Sequence, residues 1–371
     1  AFSCLMHLDV EGSVVDYEFC KTVIHSRVKG VYSEVNALLD GTADNVLKVR
    51  YAHVAEELLL MQEIYAKLAA QRLHRGAMDI ESDEAKILVD ESGRCVGVEK
   101  RTRGVAECMI EEFMLLANTC AARFAREQEL PFVYRVHAQP EPERVDALKK
   151  ALLAMGVDAH FSGEMPTVKE LAALLDATRG TSLERAVHTN VLRSMAKAKY
   201  EPEPKGHFGL ALADYAHFTS PIRRYPDLAI HRILSQVCAG VSKDEIRKQF
   251  ADFAVQASKQ SSECELRAMK AERDIDDCYK AEYMQQFIGE EFDAVVSSVT
   301  NFGLYVELPN TVEGLVRADA LSTRELQLID GVALVEPAGG RRWAVGDVMR
   351  VTLAGVDVTA GNVDFEPAQG E

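Results

Sequence analysis

No two of the eight cysteines, at 4, 20, 95, 108, 120, 238, 264 and 278, stand closer than twelve residues apart. That spacing excludes CxxC motifs and zinc knuckles. In a chain of 371 residues it argues for reduced thiols and a cytoplasmic setting rather than a disulfide framework. Buried structural thiols are expected at all eight. Long apolar runs are lacking too: the longest, such as LLLM at 58–61, are far too short to span a bilayer, so no membrane partner is expected. A basic excess is also missing. With 42 Lys and Arg against 58 Asp and Glu, the net charge is −16, and the chain as a whole would repel a phosphate backbone. Any nucleic-acid binding must therefore rest on a locally basic channel. No internal repeat, low-complexity tract, flexible linker or signal peptide is visible. The first residues are Ala-Phe-Ser-Cys, without an initiator Met, and the expectation is a piece of something longer.

Hydrophobic residues at 47% and charged residues at 27% are ordinary for a globular chain of two or three domains. Short alternating apolar stretches on either side of Glu11-Gly12 predict a β-hairpin over residues 1–28. VYSEVNALLDG at 31–41 and AHVAEELLLMQEIYAKLAAQRLHRG at 52–76 read as helices ending on Gly. A second hairpin is expected at 87–101, turning at Ser92-Gly93, then a long helix from Ala106 to about Gln128. Shorter helices follow to about 198, with a further helix at 221–239 and a charged helical segment at 243–287. From Gly289 the pattern changes to strand alternation with a turn every eight to twelve residues, the layout of a five-stranded barrel. A boundary near 286 divides residues 1–286 from 287–371.

The densest chemistry lies in HFGLALADYAHFTSPIRRYPDLAIHR, His207 to Arg232. Ser220-Pro221 has the form of a helix start, Ser as N-cap and Pro in the first turn. Arg223, Arg224, Asp227, His231 and Arg232 would then fall on that helix, with Arg223 in the first turn, where backbone amides also meet anions. Guanidinium groups bind phosphate at two points. Tyr215, His217, Phe218 and Tyr225 add rings beside those cations, the combination used at single-stranded nucleic-acid sites. The alternative is a helix start with surface arginines and core aromatics.

This segment resembles, nearly residue for residue, the one that identifies the ribonuclease II/ribonuclease R family of 3′→5′ exoribonucleases, nearer to its ribonuclease R branch. IHSRVKGVYSEV at 24–35, RGAMDIESDEAKI at 75–87, MIEEFMLLANTCAARFA at 109–125 and HTNVLRSMAKAKYEPEPKGHFGLAL at 188–212 are similar to that family in the same order. The resemblance implies that Arg223 contacts the scissile phosphate, stabilising charge as the bond breaks. It implies that Tyr32 stacks at the 3′-terminal nucleotide, though a core place on a short helix is the alternative. Glu111 would engage the terminal ribose and help select RNA through its 2′-hydroxyl, the alternative being an ordinary solvated helix glutamate. Tyr215, His217, Arg224 and Arg232 complete the expected RNA-binding set. Ile80 stands where the family often has a clamping Phe.

The barrel at 289–366 looks like the S-one-type RNA-binding domain that ends these enzymes, with Phe302 and Tyr305 on its base-stacking face or, alternatively, in its core. From Ala281 to Glu371 there is no Lys, and the five Arg are at 317, 324, 341, 342 and 350, so a weak grip by the barrel alone is expected. The implied fold class is α+β: the carboxyl-terminal portion of a mixed α/β exoribonuclease catalytic domain, then a five-stranded OB-fold barrel. The implied cofactor is magnesium, held in the parent enzyme by aspartates that lie upstream in the family and are not in this chain. Asp274, Asp276 and Asp277 imitate a metal site, but helical sequence would point them apart. The resulting expectation is part of a processive, magnesium-dependent exoribonuclease that hydrolyses single-stranded RNA to nucleoside 5′-monophosphates. The fragment would be inactive unless a separate chain supplies the missing amino-terminal part. Alternatives are a non-catalytic RNA-binding or regulatory member of the fold, and a scaffold for protein partners.

Overall fold

A computed structural model of the chain describes residues 1–78, 85–181, 183–337 and 340–368. Strands β1 (Phe2–Leu8) and β2 (Val14–Lys21) form the expected antiparallel hairpin. Helix α1 (Tyr32–Leu39) is followed by α2 (Asn45–Tyr51), a short element with no counterpart in the sequence reading, started by the Asp44 carboxylate accepting from Leu47 N. Helix α3 (Ala55–Arg75) stops at Gly76, which takes the left-handed conformation at φ 77° that favours glycine. Strands β3 (Ala85–Val89) and β4 (Cys95–Lys100) make the second hairpin. Next come α4 (Val105–Glu127), β5 (Tyr134–Val136), α5 (Pro142–Ala154), α6 (Val168–Thr178), α7 (Glu184–Ser194) and β6 (Lys199–Glu201). Helices α8 (Tyr225–Cys238) and α9 (Lys243–Met284) precede the strands of the last third.

Those strands are β7 (Glu291–Thr300), β8 (Gly303–Glu307) and β9 (Glu313–Arg317), then the single turn α10 (Ala318–Leu321). A small sheet of β10 (Gln327–Ile329), β11 (Ala333–Val335) and β12 (Arg342–Ala344) is set between α10 and the last strands, β13 (Val348–Asp357) and β14 (Asn362–Pro367). The order β13-β14-β9-β8-β7 closes into a five-stranded barrel. Closure leaves no open strand edge. The mixed helix and strand content and the barrel match the expected α+β class.

The chain divides into two compact units whose segments interleave. The first comprises Ala1–Met78, Thr102–Gln139 and Ala196–Glu265. Its core joins α4, β5 and α8 through Ala121, Ala125, Tyr134, Val136, Ile230 and Ile233. The second comprises Asp79–Arg101, Pro140–Met195 and Leu266–Glu371. Its core joins the barrel residues Leu304, Val316 and Phe365 to Val98 of β4, Ala151 of α5 and Ala186 of α7. All eight cysteines are thiols, but only Cys95 and Cys120 are buried, while Cys238 and Cys264 are exposed and the other four half-buried, which corrects the expectation that all would be buried. Cys238 is the last residue of α8, where the helix leaves the core beyond the buried Leu234. Among the described residues no helix is long and apolar enough to cross a membrane.

Candidate nucleic-acid interface

In the first unit, the segment from Asp214 to Arg224 is laid over α4 and α8 by two buried polar side chains. Asn118, 2% exposed, accepts at Oδ1 from Phe218 N (2.8 Å) and Thr219 N (3.2 Å) and donates from Nδ2 to the Tyr215 hydroxyl (3.2 Å). Asp227, fully buried on α8, accepts at Oδ1 from Ser220 N (2.7 Å) and from Arg224 Nη2 (2.8 Å). The Ser220 carbonyl then accepts from the Arg223 and Arg224 amides, closing a tight turn over 220–224. Helix α8 therefore begins at Tyr225, not at Pro221, and the Pro in its first turn is Pro226. The expected Ser220 cap is replaced by Asp227 reaching back, and Arg224 is held extended at φ −121°, ψ 116°. Arg223 thus stands on the turn ahead of the helix rather than in its first turn. Its side chain is exposed and has no ion pair or hydrogen bond among the described residues.

The other expected contacts separate into supports and exposed groups. Arg224 is committed to Asp227, with Thr219 Oγ1 3.4 Å away, so its charge is already matched inside the unit. Tyr215 is 6% exposed, its edge toward His207 and His217, and offers no ring face to a base. Phe218 is likewise buried in the core. His217 is half-buried and bonded through Nδ1 to the Tyr200 hydroxyl (2.9 Å). Burial, with Arg224 and Arg135 nearby, pushes its imidazole down to about 2, and burial beside His137 pushes His207 down to about 3. Both rings are neutral near pH 7, so neither supplies a cation for phosphate. Arg232 is exposed on α8 and lies 4.6 Å from the centroid of the Phe253 ring on α9. Of the rings expected beside the arginines, Tyr225 is the one left half exposed.

Helix α1 presents Tyr32 at its first position, 48% exposed, which rules out the core alternative. Its start is fixed from below: the buried Tyr51 hydroxyl accepts from Val31 N (3.2 Å) and donates to Glu34 (2.6 Å). Its far side is fixed to α4 by Asn36, which accepts from Ala106 N (2.8 Å) and donates to Glu107 (2.9 Å). A Cβ on Gly104 would stand 2.1 Å from Asn36 Nδ2, so only glycine lets the two helices meet this closely. Further along α4, Glu111 pairs with Arg72 (3.3 Å) and Arg103 (3.0 Å), while Arg72 also reaches Glu112 (3.1 Å). Glu111 is therefore part of a charged network, not a merely solvated helix glutamate. Ile80 lies outside the described residues.

In the second unit, Phe302 and Tyr305 stand edge to face, with ring centroids 6.2 Å apart. Phe302 is 57% exposed and Tyr305 half-buried, so the pair lies on the barrel surface rather than in its core. Gly303 between them has φ 154°, and a Cβ there would meet Val316 O at 2.2 Å. The close strand pairing that displays the two rings thus requires glycine.

A sequence profile of the RNB domain matches residues 1–240, and one of the S1 RNA binding domain matches residues 285–366. The chain belongs to the RNB-domain family. Ribonuclease R 1 of Lactococcus lactis subsp. lactis (strain IL1403) is 36% identical over 369 residues, covering 98% of this chain and 44% of the relative. Ribonuclease R of Thermotoga maritima is 37% identical over 364 residues, covering 97% of this chain and 51% of that protein. The chain thus spans about half the length of these curated relatives. The fold is shared with Mycoplasma genitalium RNase R in complex with ribose methylated single-stranded RNA. There the TM-score is 0.90 at 23% identity, over 99% of this chain and 57% of that one.

Among the described residues no group of three or more His, Cys, Asp and Glu side chains could hold a metal ion. Asp274, Asp276 and Asp277 all lie within α9, and Asp277 is partly desolvated, which raises its carboxyl above the usual range. Two residues that the sequence reading did not assign to the site, Asn118 and Tyr200, hold the Arg223 segment in place. Their signal was weak: a polar residue in the apolar run MLLANTC, and a Tyr just ahead of the loop punctuation EPEPKG.

Proposed function

We propose that this chain forms the RNA-holding and arginine-bearing part of a processive 3′→5′ exoribonuclease that hydrolyses single-stranded RNA to nucleoside 5′-monophosphates. The observation that carries the reading is Arg223, an exposed and unpaired guanidinium on a turn pinned by Asn118 and Asp227. In this reading Arg223 binds the scissile phosphate and meets the charge that grows on its oxygens, a role that needs a cation held in place before the reaction. Tyr32 stacks on the 3′-terminal base, Glu111 engages the terminal ribose, and Phe302 and Tyr305 hold RNA on the barrel. Arg224, Tyr215 and His217 support the Arg223 turn from inside. Magnesium belongs to the complete enzyme, with ligands outside these residues. In this reading the protein works in the cytoplasm, and a separate chain can supply what these residues lack.

The test is to mix the chain with magnesium and a 5′-labelled single-stranded RNA, following binding and shortening together. Salt-sensitive binding without shortening, weakened about tenfold or more by Arg223→Ala, is the expected result. Shortening from the 3′ end by this chain alone would overturn the assignment of the metal ligands elsewhere. Absence of binding would overturn the RNA reading.

A further inference from the structure

Beside α10 the second unit holds a groove of 720 Å³, within the range of about 300–1,000 Å³ typical of ligand sites. Neither Phe302 nor Tyr305 lines it. Its walls include Thr323, Arg341, Arg342 and Trp343, the last being the only tryptophan in the chain. Trp343 is half-buried, resting part of its indole against the barrel core. Arg341 covers the ring, its guanidinium carbon 5.2 Å from the ring centroid. That guanidinium is itself fixed, donating to Leu321 O (3.2 Å) with the buried Glu336 carboxylate 3.7 Å away. The flat group on the wall is therefore a preformed guanidinium–indole pair, with its positive charge largely matched.

Arg342 differs from the other arginines of the barrel. Arg317 pairs with Asp319, Arg324 with Glu336, and Arg350 with Glu291 and Asp293. Arg342 is exposed and has no ion pair among the described residues. The two carboxylates that also line the groove are engaged: Asp319 by Arg317, and Asp347 by accepting from Ala344 N (2.7 Å). A planar stacking surface beside a single available guanidinium, in a groove of nucleotide size, matches one unit of a charged, base-bearing polymer.

We propose that this groove binds one nucleotide of single-stranded RNA, with its base against the Arg341–Trp343 pair and its phosphate on Arg342. The inference rests on the RNA-binding reading above and adds a barrel contact separate from Phe302 and Tyr305. Because Trp343 is the sole tryptophan, intrinsic fluorescence excited in the indole band reads this groove directly. The experiment titrates the chain with a short uridine oligoribonucleotide carrying a 5′ fluorescein. It is done in the presence of a chelator, recording label anisotropy and, with the unlabelled oligonucleotide, Trp343 emission.

The expected result is quenching of Trp343 that saturates along the anisotropy curve, fades with added salt, and needs roughly fivefold more RNA in Arg342→Glu. Arg342 is exposed, so its variant should melt at the wild-type temperature; Phe302→Ala should leave the full amplitude of quenching at saturation. Anisotropy that rises while Trp343 emission stays constant would overturn the groove and leave the RNA reading standing. No rise in either would overturn both. Quenching that survives both high salt and Arg342→Glu would also overturn the proposal, since it would mean a distant perturbation or an apolar partner instead of a phosphate held by Arg342.

Discussion

Replacing Asn118 by Leu gives the sharpest test of how the Arg223 turn is held. The side chains are nearly equal in size, so packing changes little while three hydrogen bonds vanish. Two of the orphaned groups are backbone amides, of Phe218 in the core and of half-buried Thr219. A buried polar group left unpaired costs about 1–3 kcal/mol. Water can reach Thr219, and the new methyls gain some apolar contact, so the expected loss is about 2–4 kcal/mol. Urea unfolding followed by far-UV circular dichroism measures it. RNA affinity should fall alongside stability, about tenfold, because the turn that displays Arg223 loses two of its anchors. Asn118→Asp keeps both acceptor sites and lets the Tyr215 hydroxyl donate, so it should lose less than the Leu variant despite the buried charge. If Asn118→Leu kept wild-type stability and wild-type RNA affinity, the claim that this side chain positions the turn would be refuted.

Arg224→Ala should be destabilised by about 3–5 kcal/mol, since it strands the Asp227 carboxylate inside the unit, whereas Arg223→Ala should stay within about 0.5 kcal/mol of wild type in the same urea titration. Gly104→Ala should lose about 1–3 kcal/mol of stability, because its Cβ would collide with Asn36, and calorimetry should show the drop. His217 and His207 have folded values pushed down to about 2 and about 3, while the unfolded chain takes up protons near 6.5. Between those limits the unfolded state binds more protons, so stability is complete above about pH 6.5 and falls as the pH drops toward 3. Thermal melts at a series of pH values should show that decline beginning near pH 6.5, and His217→Gln should shrink it.

Hairpins, long helices and the barrel were legible because their signals are local. Gly12, Gly76 and Gly93 all take positive φ where the sequence placed turns or a helix end. Alternation from Glu291 onward likewise gave the barrel strands. The start of α8 was misread because Ser220-Pro221 satisfies the local rule for a helix start, while Asp227, seven residues on, captures the Ser220 amide. A local rule cannot weigh a buried carboxylate against a hydroxyl cap. The same limit explains Tyr215 and Phe218. Their order among the arginines suggested stacking, but burial is decided by Asn118 on a helix a hundred residues earlier. The packing of β4, α5 and α7 with the barrel, through Val98, Ala151 and Ala186, rests on contacts remote in sequence and left no periodic trace.

The acidic balance of the chain bears on how it can hold RNA at all. Its arginines are mostly occupied: Arg126 by Asp214, Arg135 by Glu265, Arg224 by Asp227 and Arg350 by Glu291. At the contacts proposed for RNA, the exposed arginines without an ion pair among the described residues are Arg223 and Arg342, with Arg232 beside Phe253 as a third, so about two or three phosphates meet an arginine there. For single strands the logarithm of the affinity falls with the logarithm of salt by about 0.7 per neutralised phosphate, which sets the slope near −1.5 to −2. The net charge of −16 works in the same direction, since salt also screens the general repulsion and offsets part of the loss. Binding that depends little on cations must rest on stacking, at Tyr32, Phe302 and the Trp343 groove. Equilibrium binding of a labelled oligoribonucleotide across a range of potassium chloride concentrations measures the slope. A value steeper than about −4 would mean at least five or six neutralised phosphates, more than the two or three that the proposed contacts provide for, and would refute the stacking-led account.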